Sequence, residues 1–286
     1  MVGWIDEWWL RALIGLIGGG MISISAYRSR SLSGSGALSA VVMGTGFVTL
    51  GEPVWFGCLI AFFVTSTFWS KYKRRSKAKE QAEVNYEKSG RRDAGQVWAN
   101  GGVGLLLCAA DAIWPSAGWL YAYIGVMAAV NADTWATEIG ALSKSAPRSL
   151  LSGKVVKAGT SGAVTPLGSA AALAGAATIG GVAAALLALQ QQADAAAGSA
   201  LGGAAAIVAA AAAAGLAGCF ADSLLGATGQ AMFRCRVCGS ETERREHCGA
   251  ATERIRGFAW LNNDRVNLLS SLFAGALGWA LGSLLL

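Results

Sequence analysis

Apolar residues occupy this chain in long blocks, and the joins between blocks are of two kinds. Eight blocks stand out, at about 8–26, 34–50, 53–70, 95–113, 117–140, 161–189, 198–225 and 266–286. Each approaches the roughly 20 apolar residues that a helix needs to cross a bilayer. The short joins (Gly51 to Pro53, Asp111 to Ser116, Gln190 to Gly198) contain no Lys or Arg. The longer joins at 27–33, 71–94, 141–160 and 226–265 hold two, nine, four and seven of them, 22 of the chain's 23 basic residues, with Arg11 left over. Each basic join follows an odd-numbered block, so eight crossings deliver all four to one side. Lys and Arg mark the cytoplasmic face of membrane proteins. The pattern therefore predicts four cytoplasmic loops and both termini outside. One missed crossing would scatter the charge over both faces.

Composition points the same way. The 286 residues are 54% hydrophobic and 14% charged, where a soluble domain carries about 25% charged residues. Mean hydropathy is +0.46. The expected fold is an all-α polytopic transmembrane bundle, a single membrane domain over 1–286 with its site on the loops. Those loops are a basic segment at 71–94, a phosphate-binding segment at 141–160 and a Cys/His segment at 226–265. The N-terminus opens acidic and lacks an A-x-A cleavage site, so no secretory signal peptide is expected. A net charge of +6 raises nucleic acid as a partner, but its confinement to alternate joins is a topology signal instead. The run GGAAAIVAAAAAAGLAG at 202–218 has few large side chains, and such runs let helix backbones approach closely in lipid.

Polar residues at the block ends are the candidates for chemistry. The fifth block closes on NADTWATEIG (131–140). On a helix Asn131, Thr134 and Glu138 share a face, and Asp133 and Thr137 lie on the adjacent strip. A carboxylate inside a span costs ~2.5–3.5 kcal/mol on insertion scales and so faces a polar interior. The reading is a site for a cation or phosphate; the plainer alternative is a helix end meeting headgroups. In the following loop Lys144, Arg148, Lys154 and Lys157 lead into Gly159, Thr160, Ser161 and Gly162, which are expected to open the next helix. Glycines admit an anion to backbone N–H groups, and a helix N-terminus adds partial positive charge. The segment is not a Walker A sequence.

Further polar residues gather at the same expected depth. Asp222 and Ser223 end the seventh block, Asn262, Asn263, Asp264 and Asn267 open the eighth, and Asn100 lies early in the fourth. Asp133, Glu138, Asp222 and Asp264 together make a carboxylate set suited to Mg²⁺, which bridges to substrate phosphates. In CRVCGSETERREHCG, Cys235, Cys238, His247 and Cys248 form a C-x-x-C followed by an adjacent His-Cys. A structural Zn²⁺ and a metal-free loop with reduced thiols both remain open, because neighbouring His and Cys ligands depart from usual zinc spacing. Cys58, Cys108 and Cys219 read as small buried residues. The segment 70–93 alternates charge along an expected helix, mostly a solvated face above anionic lipid. Of Lys71, Arg91 and Arg92, nearest the membrane, Lys71 and Arg91 are favoured to reach a phosphate.

NADTWATEIG, GTSGAVTPLG, ADSLLGATGQ with CRVCG, and WLNNDRVNLLSS resemble, in that order, the integral-membrane family that groups transmembrane protein 19 with plant phytyl-phosphate kinase. SGSGALSA and FFVTSTFWSKYK are similar to its N-terminal motifs, so the resemblance spans roughly residues 20–275. It implies a kinase that moves a phosphoryl group from a nucleoside triphosphate to an isoprenoid monophosphate, giving the diphosphate. A distant likeness to dolichol and phytol kinases implies CTP as donor. Asp133, Glu138, Asp222 and Asp264 would then hold Mg²⁺, Lys144, Lys154, Lys157 and Thr160 the triphosphate, and Lys71 or Arg91 the acceptor phosphate. The rival class is an ion-coupled transporter or lipid scramblase. Its site is expected near the bilayer midplane, between repeats, and no repeat is visible here. An intramembrane metalloprotease is disfavoured by a single His and no H-E-x-x-H.

Overall fold

The computed structural model describes residues 7–88, 90–193 and 203–285. Eight long helices coincide with the eight apolar blocks: α1 (Trp8–Arg28), α2 (Gly34–Leu50), α3 (Pro53–Lys71), α5 (Ala94–Ile113), α6 (Ala117–Gly140), α7 (Pro166–Ala193), α8 (Ala204–Thr228) and α9 (Asn263–Ser283). A short α4 (Lys77–Glu83) lies in the basic segment. The first residues of the block expected at 198 fall outside the described residues. Helix starts follow local chemistry. Asp93 and Gln96 close a capping box at α5, and the Ser33, Ser116 and Asn262 side chains accept from the first turns of α2, α6 and α9, which satisfies donors that a helix N-terminus leaves open.

Helix α6 is the centre. Every residue from Tyr121 to Ala132 is buried, as expected of a helix apolar on all sides. It packs against α3, α5, α7, α8 and α9. Small residues allow this crowding. A Cβ on Gly125 would lie 2.5 Å from the Ala274 carbonyl oxygen of α9, and one on Gly218 of α8 would lie 2.6 Å from the Ala129 Cβ. Helix α1 inverts the soluble pattern. Its buried residues are Gly15, Ser23 and Ala26, while Leu13, Leu16, Ile17 and Met21 are exposed. Leu38, Leu106 and Ile113 are exposed likewise. Bundles embedded in lipid show this arrangement, small residues inward and large apolar ones outward. By length and composition α1, α3, α7, α8 and α9 can each cross a membrane, while α2 is apolar but only 17 residues long. Eight crossings remain the expectation of the charge map.

Two expectations change. The alternating charges at 70–93 form only the seven-residue α4, and it is not a wholly solvated face, since Lys79 and Ala82 are buried. The glycine segment 159–162 does not open a helix. A strand, β2 (Ala163–Val164), follows it, pairs with β1 (Arg148–Ser149), and only then does α7 begin at Pro166. The Thr165 hydroxyl, accepting from Gly168 N at 3.0 Å, does the capping. In the last basic join, β3 (Met232–Arg234) pairs with β4 (Glu241–Thr242) and β7 (Glu253–Arg256), and β5 (Glu246–His247) pairs with β6 (Ala250–Ala251).

Candidate functional site

All four basic joins contribute to one cavity of about 480 Å³ at one end of the bundle. Arg30 and Ser31 come from the first join, Lys71, Arg74, Lys79, Lys88 and Arg92 from the second, Gly159 to Gly162 from the third and Glu243 from the fourth. The joins that share charge thus share a place.

The acidic part is built from helix ends. Asp133, Thr134 and Glu138 enter from the last turns of α6, where its all-round packing stops, and Asp222 and Ser223 from the end of α8. Asn100, Asn263 and Asn267 supply amides from the starts of α5 and α9. Asp222 accepts from the Ser270 hydroxyl at 3.1 Å. Asp133 has no hydrogen bond or ion pair among the described residues. The two carboxylates feel each other's charge, and like charges in a poorly solvated site call for a counter-ion. Carboxylates and amides lining one cavity fit Mg²⁺ by donor chemistry.

Glu138 and Asp264 are differently engaged. Glu138 accepts from Ser70 Oγ at 2.7 Å on one oxygen and from Lys79 Nζ at 2.6 Å on the other. Lys79 also donates to the Trp69 carbonyl at 2.6 Å. Both Glu138 oxygens are therefore occupied by α3 and α4. Asp264 does not line the cavity; it holds Lys88 at 2.5 Å, and Lys88 also meets Asp93 at 2.9 Å. Burial opposes the charge on Lys88, yet the bonds to Asp264 and Asp93 leave its ammonium above the ordinary range.

Among the basic candidates, Lys71 lines the cavity and Arg91 does not. Arg91 lies over the Tyr27 ring, and its neighbour Arg92 turns inward and donates to Ser66 Oγ at 3.1 Å. Backbone bonds between Ser33 N and Arg92 O and between Arg92 N and Ser31 O, both 3.0 Å, set which of the two arginines points in. Lys144, Arg148, Lys154 and Lys157 are exposed and do not line the cavity; Arg148 caps its own turn through Gly153 O at 2.9 Å. Asn131 is fully buried and does not line it either. Its amide donates to Gly175 O at 2.8 Å and accepts from Thr65 at 3.0 Å, which ties α6 to α7 and α3.

The glycine segment forms a wall. Gly159 and Gly162 have φ of +78° and +77°, a region side chains avoid. A Cβ at Gly159 would stand 2.4 Å from Ala82 O of α4, and one at Gly162 would stand 2.6 Å from Ser223 O of α8. Ser161 donates to Gln230 at 2.8 Å. The segment is wedged between α4 and α8, with Thr160 and Ser161 toward the cavity lining.

Lys79, Lys88, Glu243, Arg30 and Arg74 are charged lining residues without a signal of their own in the sequence, and Arg92 takes the place expected of Arg91. Glu243 is buried and accepts from Glu87 N at 3.1 Å. Burial pushes its carboxyl up to about 7, against the downward pull of that N–H. The sign follows. A carboxyl whose folded pKa lies above its unfolded value stabilises the fold most below about pH 4.5, and that contribution is lost as pH rises through about 7. Glu243→Gln is therefore expected to raise stability at pH 8 by on the order of 3 kcal/mol relative to its effect at pH 4.5. Thermal unfolding of both proteins from pH 4.5 to 8 measures this, and parallel curves for the two would contradict it.

Comparison with known proteins agrees with this architecture. The family model described as "Integral membrane protein DUF92" matches residues 18–275. The chain is 30% identical over 283 residues to "Protein PGR" of Arabidopsis thaliana, covering 93% of this chain and 94% of the relative. It is 28% identical over 259 residues to an uncharacterized membrane protein of Methanocaldococcus jannaschii, covering 90% and 89%. No solved structure matches it. A helical bundle with its large apolar side chains outward, matched over nearly its whole length, belongs to the DUF92 family of multi-pass integral membrane proteins.

Proposed function

We propose that the protein is an isoprenoid monophosphate kinase that transfers a phosphoryl group from a nucleoside triphosphate, CTP favoured, to a phytyl-type monophosphate. The observation that carries the reading is one cavity combining two carboxylates, Asp222 and Asp133, the latter without a partner among the described residues, with Lys71, Lys79, Lys88 and Arg92. Its volume falls within the ~300–1,000 Å³ of small-molecule sites. The resemblance to phytyl-phosphate kinase supplies the substrate class and the likeness to dolichol and phytol kinases supplies the base.

The acceptor is already a phosphate monoester and needs no general base. An acceptor oxygen forms a bond to the γ-phosphorus as the bond from that phosphorus to the β–γ bridging oxygen breaks, and the nucleoside diphosphate leaves with the electron pair. The difficulty is bringing two anions together, so catalysis reduces to charge and alignment. Mg²⁺, held by Asp133 and Asp222 with the amides of Asn263 and Asn267, would neutralise the triphosphate. Lys79 and Lys88, fixed by Glu138 and Asp264, would offer oriented cations to the same phosphates, and Thr160, Ser161 and the backbone of Gly159 and Gly162 the opposite wall. Lys71, Arg30, Arg74 and Arg92 would hold the acceptor phosphate.

A place for the tail supports this assignment. An apolar groove between α1 and α3 is lined by Met21, Ile22, Phe63, Val64 and Phe68 and shares Ser31, Thr67 and Lys71 with the cavity. A single hydrocarbon chain in the groove would leave its phosphate at Lys71. The proposed reaction side is the cytoplasmic face, the side to which the alternation of basic joins assigns the loops, with both termini expected outside. The test is transfer of label from γ-labelled CTP, ATP, GTP and UTP to phytyl, farnesyl, geranylgeranyl and undecaprenyl phosphates by purified protein. Mg²⁺-dependent label in a lipid diphosphate is expected. No transfer with any pair, together with no thermal shift from Mg²⁺ and CTP, would favour the ion-coupled carrier or scramblase instead.

A further inference from the structure

We propose that Cys235, Cys238, His247 and Cys248 bind a structural Zn²⁺ that fastens the β3–β7 module over the cavity. The one ligand atom each residue offers lies within 4.8 Å of the other three. The Nδ1 of His247 is 3.5 Å from the Cys238 sulfur and 3.2 Å from the Cys248 sulfur. Zinc–sulfur bonds of ~2.3 Å and zinc–nitrogen bonds of ~2.0 Å in a tetrahedron set neighbouring donors about 3.5–3.8 Å apart. The four side chains thus enclose a metal-sized centre with only small adjustments.

Two turns are shaped to present the sulfurs. After Cys235, Val237 N donates to the Cys235 sulfur at 3.4 Å and Gly239 N donates to Cys235 O at 2.9 Å. An N–H aimed at sulfur favours the thiolate that a metal requires. The second turn joins β5 to β6, with Cys248 at φ +54° and Gly249 at +71°. Two positive φ values in a two-residue hairpin loop call for Asn-Gly or Asp-Gly. A cysteine in the first position is a backbone outlier of order 1–3 kcal/mol, and such outliers cluster at ligand clamps. Here the conformation brings the Cys248 thiol to His247. The adjacent His-Cys pair that departs from familiar zinc spacing is resolved by this turn. On binding, each coordinating thiol gives its proton to solvent, and four protein ligands leave no open position, which makes the site structural.

The module has a reason to need a staple. Its strands are two to four residues long, and hairpins of that size are marginal alone. Residues at the end of β4 and just after it grip the edge of the cavity: Glu243 N and the Thr242 hydroxyl donate to Asn85 O at 2.9 and 3.0 Å, and Arg244 donates to Tyr86 O at 2.7 Å. Zinc joining the β3–β4 turn to the β5–β6 turn would hold that grip. The proposal stands independently of the kinase reading.

Full-length protein purified without chelator should carry about one zinc per chain by elemental mass spectrometry, as a closed four-ligand site does. Cobalt exchange should give thiolate-to-metal charge-transfer absorption and tetrahedral d–d bands. Cys238→Ser or Cys248→Ser should lose most of the metal. Stripping the metal should raise amide exchange at 84–88 while α6 stays protected. Wild-type protein with reduced thiols, no zinc and no cobalt bands would overturn the site, whether or not the variants fold. Metal present with unchanged exchange at 84–88 would overturn the fastening role.

Discussion

Asp133→Asn is expected to lower phosphoryl transfer at least ~100-fold, the loss of about 3 kcal/mol of transition-state stabilisation. The substitution keeps the shape of the side chain and removes its charge. Asp133 lines the cavity without a partner among the described residues, on a helix otherwise locked by packing from Tyr121 to Ala132, so the fold does not depend on that charge. Relieving an unpaired carboxylate beside Asp222 should leave the unfolding midpoint unchanged or raised, since uncompensated buried charge destabilises. The paired outcome, activity down and stability level or up, is what a site residue gives and a structural residue does not. Initial rates across a Mg²⁺ titration and thermal unfolding of the same preparations measure both. A wild-type rate in Asp133→Asn would remove the metal role from this residue, and an equal loss of rate and stability would make it structural.

The helices were legible because burial and lipid exposure both demand long apolar runs. The bounds of α6 at 117 and 140 follow from a serine cap and from the polar residues that begin once packing ends. The meeting of the basic joins was legible too, through alternation of charge along the chain, although alternation says nothing of which lysine enters the cavity. In a segment with nine basic residues Lys79 looks like its neighbours. Only the turn of α4 against Trp69 and Glu138 singles it out. Arg91 and Arg92 differ by one position, and a backbone pairing with Ser31 and Ser33 decides between them. Asn131 misled for the opposite reason. Helical period correctly places it near Thr134 and Glu138, but period does not reveal that α7 and α3 already occupy that part of the face. Glu243 has no local signal at all, lying between the cysteines just after β4, among strands too short to show a period.

The largest expected loss of stability belongs to Lys79→Met. Lys79 and Glu138 meet at 2.6 Å with side-chain exposures of 2% and 22%. Removing one partner of such a pair strands the other charge, at a cost of ~3–5 kcal/mol. The cost is unfavourable here because Glu138 would keep only its bond from Ser70, while the Trp69 carbonyl at the end of α3 would lose its donor. Methionine fills the lysine stem, so lost packing contributes little. The control is Lys79→Met with Glu138→Gln, in which the amide oxygen can still accept from Ser70 and no charge is left unpaired. Most of the stability should return in this double variant, with a coupling of 0.5–3 kcal/mol between the sites, the range for residues in contact. If Lys79 serves the proposed transfer, phosphoryl transfer should not return in the double variant, because the cavity still lacks its ammonium. Denaturation of the single and double variants beside their transfer rates separates the two roles. A single variant that loses less than about 1 kcal/mol would show that Lys79 and Glu138 meet as a solvent-screened pair rather than as the anchor of α4 on the bundle.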